Sequence, residues 1–271
     1  MTADAARDDA RPTRNEAVWI PSHGASMNGV MFVAAGIDPH PTALLIHGLP
    51  GNEQNLDLAQ VLRRSGYNVL TFHFRGSWGS PGKFTLAGGV EDTEAALYFL
   101  EAPATIAKFH IDPKRLIVVG HSYGGFTATR MATKHREIAG LVLLAPWDPA
   151  ETIAQFSVPP KELPVAAHQV FDDVDGRLGG VRDVDLAQEL LATGYDWHLE
   201  KQADGLDNMP ILMVTATDDS NDDKGETLRA ALAKKSGSNF TTLQMTTDHP
   251  FSDHRIALEA TVTRWLKERI H

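Results

Sequence analysis

The stretch Arg115-Leu116-Ile117-Val118-Val119-Gly120-His121-Ser122-Tyr123-Gly124-Gly125 decides the fold. Its first half is a run of branched apolar side chains, the composition of a strand buried on both faces. A helical run from Gly125 to Arg136 follows it directly. The serine between them, with glycine two residues to either side, makes a G-x-S-x-G at a strand-to-helix turn. Such a turn forces the serine into a strained conformation that lifts Oγ above the sheet's carboxyl edge. The flanking glycines remove Cβ atoms that would collide there, and the helix aims its first N–H groups at any negative charge that develops. Ser122 is therefore the candidate nucleophile.

Outward from this turn, apolar runs alternate with helical patterns, which implies a mostly parallel sheet covered on both faces. Val18 to Ile20 and Val30 to Ala34, separated by the turn signals Gly24 and Asn28-Gly29, read as an opening antiparallel pair. Thr42 to Ile46, Asn68 to Phe74, Arg115 to Val119, Gly140 to Ala145, Ile211 to Ala216 and Phe240 to Met245 complete a set of eight strands. Leu58, Val61 and Leu62 mark one amphipathic helix closed by Gly66, and Ala95, Ala96, Phe99 and Leu100 mark another. Leu258, Val262, Trp265, Leu266 and Ile270 form the stripe of a terminal helix. Residues 1–16 read as a mobile polar tail and residues 17–271 as one domain. The irregular interval 148–209, with Pro159-Pro160 and Gly179-Gly180, reads as a lid or cap insertion of short helices.

The partners of Ser122 follow from chain order. Among twelve histidines, those after the last strand are placed to reach a serine at the sheet's edge, in the order Ser, Asp, His. His249, in the loop Thr246 to Ser252, is the first candidate base. His254, near the start of the terminal helix, is the alternative. The strand Ile211 to Ala216 runs into Thr217-Asp218-Asp219-Ser220-Asn221-Asp222-Asp223. Asp219, three residues beyond the strand, is the candidate acid, with Asp218 and the earlier Asp148 as alternatives. Asp222 and Asp223 read as caps of the next helix. The acid's task is to fix the imidazole tautomer and stabilise the imidazolium.

An oxyanion needs preorganised N–H donors. One is the amide of Tyr123. The other is expected from His47-Gly48-Leu49-Pro50-Gly51 after the strand Thr42 to Ile46, and since Pro50 has no N–H, Leu49 is preferred. The His47 side chain is expected to be buried and to brace neighbouring loops. Arg75 is expected to brace its loop in the same way.

Leu45-Ile46-His47-Gly48-Leu49-Pro50-Gly51, Phe74-Arg75-Gly76-Ser77, Asp112-Pro113-Lys114-Arg115-Leu116 and Gly120-His121-Ser122-Tyr123-Gly124-Gly125 give the chain a resemblance to the α/β-hydrolase superfamily. The resemblance runs from about Trp19 to Ile270. Those stretches look most like the catalytic domain of acylaminoacyl-peptidase and dipeptidyl-peptidase relatives, without their propeller. It implies an α/β fold and carboxylic-ester or peptide-type substrates.

Composition narrows the function further. With a formal net charge of −10, the 271-residue chain lacks the cationic surplus that nucleic acids or anionic membranes require. It contains no cysteine, so disulfides and thiolate chemistry are excluded. No H-E-x-x-H, G-x-G-x-x-G or P-loop is present, and Asp173-x-Asp175-Gly176 departs from a calcium loop at Arg177. The expectation is a cofactor-free, metal-free cytoplasmic serine hydrolase acting on a small-molecule ester, with peptide or amide hydrolysis as the alternative. A non-catalytic ligand-binding protein on the same fold is the second alternative.

Overall fold

The computed structural model describes residues 8–172, 174, 176–219, 225–235 and 239–270. Its centre is an eight-stranded sheet of order β1-β2-β4-β3-β5-β6-β7-β8. The strands are β1 (Arg14–Ser22), β2 (Ala25–Val33), β3 (His40–Ile46), β4 (Asn68–Phe72), β5 (Ile111–His121), β6 (Gly140–Leu144), β7 (Ile211–Ala216) and β8 (Phe240–Met245). The pairs β1–β2 and β2–β4 are antiparallel, and every later pairing is parallel. The expected mostly parallel sheet is thus observed. β3, β4, β6, β7 and the second half of β5, from Leu116 to His121, are almost wholly buried, which matches their continuous apolar runs.

Several elements differ from the sequence reading. β2 runs Ala25–Val33, so Asn28-Gly29, read as a turn signal, lies inside the strand opposite Trp19 and Val18, and the turn falls at His23-Gly24. β4 ends at Phe72 and β5 begins at Ile111. β1 begins at Arg14, inside the stretch read as a tail, and alternates polar and apolar residues until Ser22. Its exposed face gave it no continuous apolar signal. The helix α4 (Tyr123–Ala132) starts two residues earlier than expected and ends at Ala132, not Arg136.

The helices sort onto the two faces of the sheet. α2 (Leu86–Glu101) and α4, together with most of residues 148–209, cover one face through Leu97, Leu100, Phe126, Met131, Leu186 and Leu190. α1 (Leu56–Arg64) and α8 (Arg255–Arg269) cover the other through Leu58, Leu62, Leu258, Val262 and Trp265. The stripes expected for the first and last of these helices are the ones that are buried. A short α3 (Pro103–Phe109), opened by its proline, precedes β5. Residues 148–209 fold as 3-10 turns at Glu151–Phe156 and Leu199–Leu206 with α5 (Leu163–Val170) and α6 (Asp183–Thr193) between them. α7 (Glu226–Lys235) lies between β7 and β8. Asp173, Asp175, Asp222 and Asp223 fall outside the described residues.

The loop after β4 is fixed by a buried charge. Arg75 Nε donates to Asp92 Oδ1 at 2.5 Å and its backbone N–H donates to Oδ2 at 2.9 Å. Ser22 Oγ donates to Oδ1 at 2.6 Å, so Asp92 ties β1, this loop and α2 together. Arg75 also reaches Glu91 at 2.6 Å, which makes it the loop brace expected from the sequence. The loop in turn carries Trp78, whose Nε1 donates to the carbonyl of Pro50 at 2.6 Å. Removing one partner of a buried pair leaves the other charge uncompensated, so Asp92→Ala is expected to destabilise the fold by about 3–5 kcal/mol. Urea unfolding checks this, and a loss below about 1 kcal/mol would place the pair among ordinary surface bridges.

Candidate active site

Ser122 occupies the turn between β5 and α4 with φ 55° and ψ −121°, a region hostile to a residue with a Cβ. The conformation is held from several sides. Its N–H donates to the Leu144 carbonyl at 2.9 Å, and its own carbonyl accepts from Gly125, Phe126 and Trp147 at 2.8, 3.2 and 3.1 Å. The two flanking glycines are sterically obligatory, since a Cβ at Gly120 would lie 2.3 Å from the Gly124 carbonyl oxygen and one at Gly124 would lie 2.4 Å from that of Ile46. Tyr123 opens α4, so its N–H has no acceptor one turn earlier within the helix. Its ring is fully buried, and its hydroxyl donates to the Leu86 carbonyl at 2.6 Å.

The loop after β3 packs against this turn. A Cβ added to Gly48 would stand 2.9 Å from Ser122 Cβ and 3.4 Å from Oγ, which puts the loop backbone directly over the serine. His47 is buried beneath the loop. Its Nδ1–H donates to the Gly48 carbonyl at 2.7 Å, leaving Nε2 to face His73 Nδ1 at 3.3 Å. Burial pushes the His47 pKa down to about 4, and the neighbouring His73 adds to the effect against the opposing Gly48 bond. This neutral, bracing histidine is the one anticipated from the sequence.

His249 follows β8 and lines one cleft of about 190 Å³ with Gly48, Leu49, His121, Ser122 and Pro250. Its Nδ1 lies 2.8 Å from Oδ2 of Asp219, a carboxylate that is 2% exposed. A carboxylate oxygen accepts, so Nδ1 carries a proton, and in the neutral ring Nε2 is the nitrogen with the lone pair. The structure brings the other candidates elsewhere. Asp218 is exposed and accepts from the Thr217 hydroxyl at 2.9 Å. His254 pairs with its neighbour Asp253 at 2.9 Å. Asn52 and Glu53, which no motif marked, also line the cleft. A further contact invisible to motif reading joins His121 Nε2 to the carbonyl of His249 at 3.1 Å.

Comparison with known proteins fits this arrangement. A family model described as "alpha/beta hydrolase fold" matches residues 41–191. The chain belongs to this family. As an α/β-hydrolase it is 29% identical over 137 residues to an uncharacterized protein of Mycobacterium tuberculosis, a match covering 50% of this chain and 47% of that protein. It is 34% identical over 98 residues to the lysophosphatidylserine lipase ABHD12 of Danio rerio, covering 35% and 24% of the two chains. The chain thus spans at most about half the length of the curated relatives it matches. Among solved structures, the esterase Pf2001 of Pyrococcus furiosus superposes with a TM-score of 0.67 at 17% identity, covering 99% of this chain and 100% of that one. No helix among the described residues is long and apolar enough to cross a membrane.

Asp148, the earliest acid weighed from the sequence, has a different employment in this α/β-hydrolase. Its buried carboxylate accepts from the N–H of Ala150 at 2.9 Å and of Leu199 at 2.7 Å, clasping the start of the 148–209 excursion to the start of its last 3-10 turn. Asp148, Glu151, His198 and Glu200 bring four potential metal-ligand atoms within 4.8 Å of one another, the group with that capacity among the described residues, and none of them lines the cleft of Ser122 and His249. Burial raises the Asp148 pKa from 3.8 to about 6 despite the two N–H bonds. The folded state therefore holds this proton more tightly than the unfolded chain. That contribution is fully present below about pH 4 and is lost as pH rises through 6, a change of about 3 kcal/mol. Urea unfolding of the wild type and Asp148→Asn at pH 4 and pH 7 measures it directly. The variant is expected to lose ground against the wild type at pH 4 and to recover most of it at pH 7, whereas an equal gap at both values would contradict the raised pKa.

Proposed function

We propose that the chain is a serine hydrolase that cleaves a carboxylic ester through an acyl-enzyme intermediate. Ser122 is the nucleophile, His249 the general base and Asp219 the acid that orients it. The observation that carries this reading is the bond from His249 Nδ1 to the buried Asp219 carboxylate, in a cleft that His249 shares with Ser122. In the neutral imidazole this tautomer puts the lone pair on Nε2, which accepts the Ser122 proton as Oγ attacks the ester carbonyl. The backbone N–H groups of Tyr123 and Leu49 then receive the oxyanion, one from the start of α4 and one from the loop over Ser122. Collapse of the tetrahedral intermediate expels the alcohol, which takes the proton from His249. A water repeats the sequence on the acyl-enzyme and frees the acid.

The ester preference is supported by the names of the relatives, a lipase and an esterase. The short helices of residues 148–209 are read as a lid insertion, packed with α2 and α4 against one face of the sheet.

Two measurements test the assignment. A fluorophosphonate probe followed by intact mass should label the wild type once and leave Ser122→Ala unlabelled, with turnover of p-nitrophenyl acetate reduced about a million-fold. Unchanged turnover in the purified variant would remove Ser122 from the mechanism. Asp219→Asn, which presents the wrong hydrogen-bond partner to His249, should lower kcat about ten-thousand-fold. Asp218→Asn, on the exposed side of the turn, should stay within about twofold of the wild type. The reverse ranking would transfer the acid's role to Asp218.

A further inference from the structure

The residue immediately before Ser122 presents a cost that the fold alone does not explain. His121 is 2% exposed, and its Nδ1 is buried with no hydrogen-bond partner among the described residues. An orphaned buried polar atom costs about 1–3 kcal/mol, a penalty that an apolar side chain of similar shape would avoid. What the ring gains is a single donor. A carbonyl can only accept, so the 3.1 Å contact to the His249 carbonyl fixes the tautomer with the proton on Nε2. Burial, with His249, Arg255 and His47 nearby, keeps the ring neutral down to about pH 3. The two imidazoles lie with centroids 4.9 Å apart, tilted by 35°.

We infer that His121 is a positioning residue that aims the catalytic imidazole by holding the main chain of His249. The inference rests on the reading of His249 as the base. His249 is then tethered at two points. Asp219 holds its side chain at Nδ1, and His121 holds its backbone carbonyl. With both ends of the residue fixed, the direction of Nε2 towards Ser122 no longer depends on the loop that carries it, which emerges from β8 beyond the sheet. The tether spans 128 residues of sequence and joins the end of β5 to the far loop, so nucleophile and base share one rigid frame. A displacement of the base by about 1 Å is enough to cost a hundredfold in rate. Neutrality matters as well, because a permanently charged ring at this distance would oppose the positive charge His249 acquires when it takes the serine proton.

The chemistry of the tether supplies its own test. Glutamine places an amide N–H close to where Nε2–H lies, whereas asparagine mimics the Nδ1 position and falls short of the carbonyl. With p-nitrophenyl acetate as substrate and fluorophosphonate end-point labelling to count competent sites, His121→Leu is expected to lower kcat per labelled site by about 10–100-fold with KM unchanged within about twofold. His121→Gln should restore kcat to within about threefold of the wild type, and His121→Asn should stay near the leucine variant. A purely structural role would reduce melting temperature and the number of labelled sites in all three variants without separating glutamine from asparagine. The proposal is overturned if His121→Leu keeps wild-type kcat per site, or if the glutamine variant, equally well folded by circular dichroism, fails to outpace asparagine. Should leucine prevent folding, the comparison of the two amides still decides. Failure of the underlying reading would look different, because His249→Ala would then keep its turnover per labelled site.

Discussion

The molecule is organised around a backbone turn that an isolated chain would avoid. At Ser122 the strand β5 must reverse its local handedness to enter α4, at a positive φ that costs of order 1–3 kcal/mol for a residue with a Cβ. The surroundings over-determine it. One hydrogen bond ties Ser122 into the sheet through β6, three more converge on its carbonyl, and the adjoining backbone approaches so closely that only glycine fits on either side. Because these restraints come from the loop after β3, from β6 and from α4, the strained residue can relax only if several elements move together. Its hydroxyl is thereby aimed by the sheet as a whole.

The same logic governs the buried histidines around the turn. Removal from water holds His47 and His121 neutral, and a neutral imidazole offers one donor whose direction is set by its tautomer. His47 spends that donor on the Gly48 carbonyl and His121 spends it on the His249 carbonyl, so each braces a different loop at the carboxyl edge of the sheet. Both loops meet at the cleft that Ser122 lines. Fixed dipoles of this kind need no rearrangement when charge develops, which is the general advantage of a preorganised and poorly hydrated site.

Much of this was legible in the sequence, and the limits have physical causes. Strands buried on both faces, such as β5 and β7, announce themselves as uninterrupted apolar runs, and the stripes of α1 and α8 repeat at the helical period. β1 was cut short because its first residues are exposed and polar, and pairing with β2 rather than burial makes them a strand. The partnership of Asp219 with His249 could be narrowed by counting residues from the strand end, but the choice over Asp218 depends on which way each carboxylate turns. Asp148 shows the opposite limit: its position after a strand is compatible with an acid's role, and only the location of the Leu199 N–H reveals its true partner. The His121 tether leaves no trace in the sequence because its acceptor is a main-chain carbonyl, which every residue possesses.

The clasp at Asp148 has a consequence for how such a molecule can vary. By gripping the chain at Ala150 and again at Leu199, one carboxylate turns everything between them into a closed loop whose two feet are planted side by side. The entropic cost of such a closure grows only with the logarithm of its length, by about 0.6 kcal/mol for each doubling. The solvent-facing turns of the excursion can therefore change length at little entropic cost, whereas Phe156, Leu186, Leu190 and Leu199 pack into the core and anchor its inner side to the sheet.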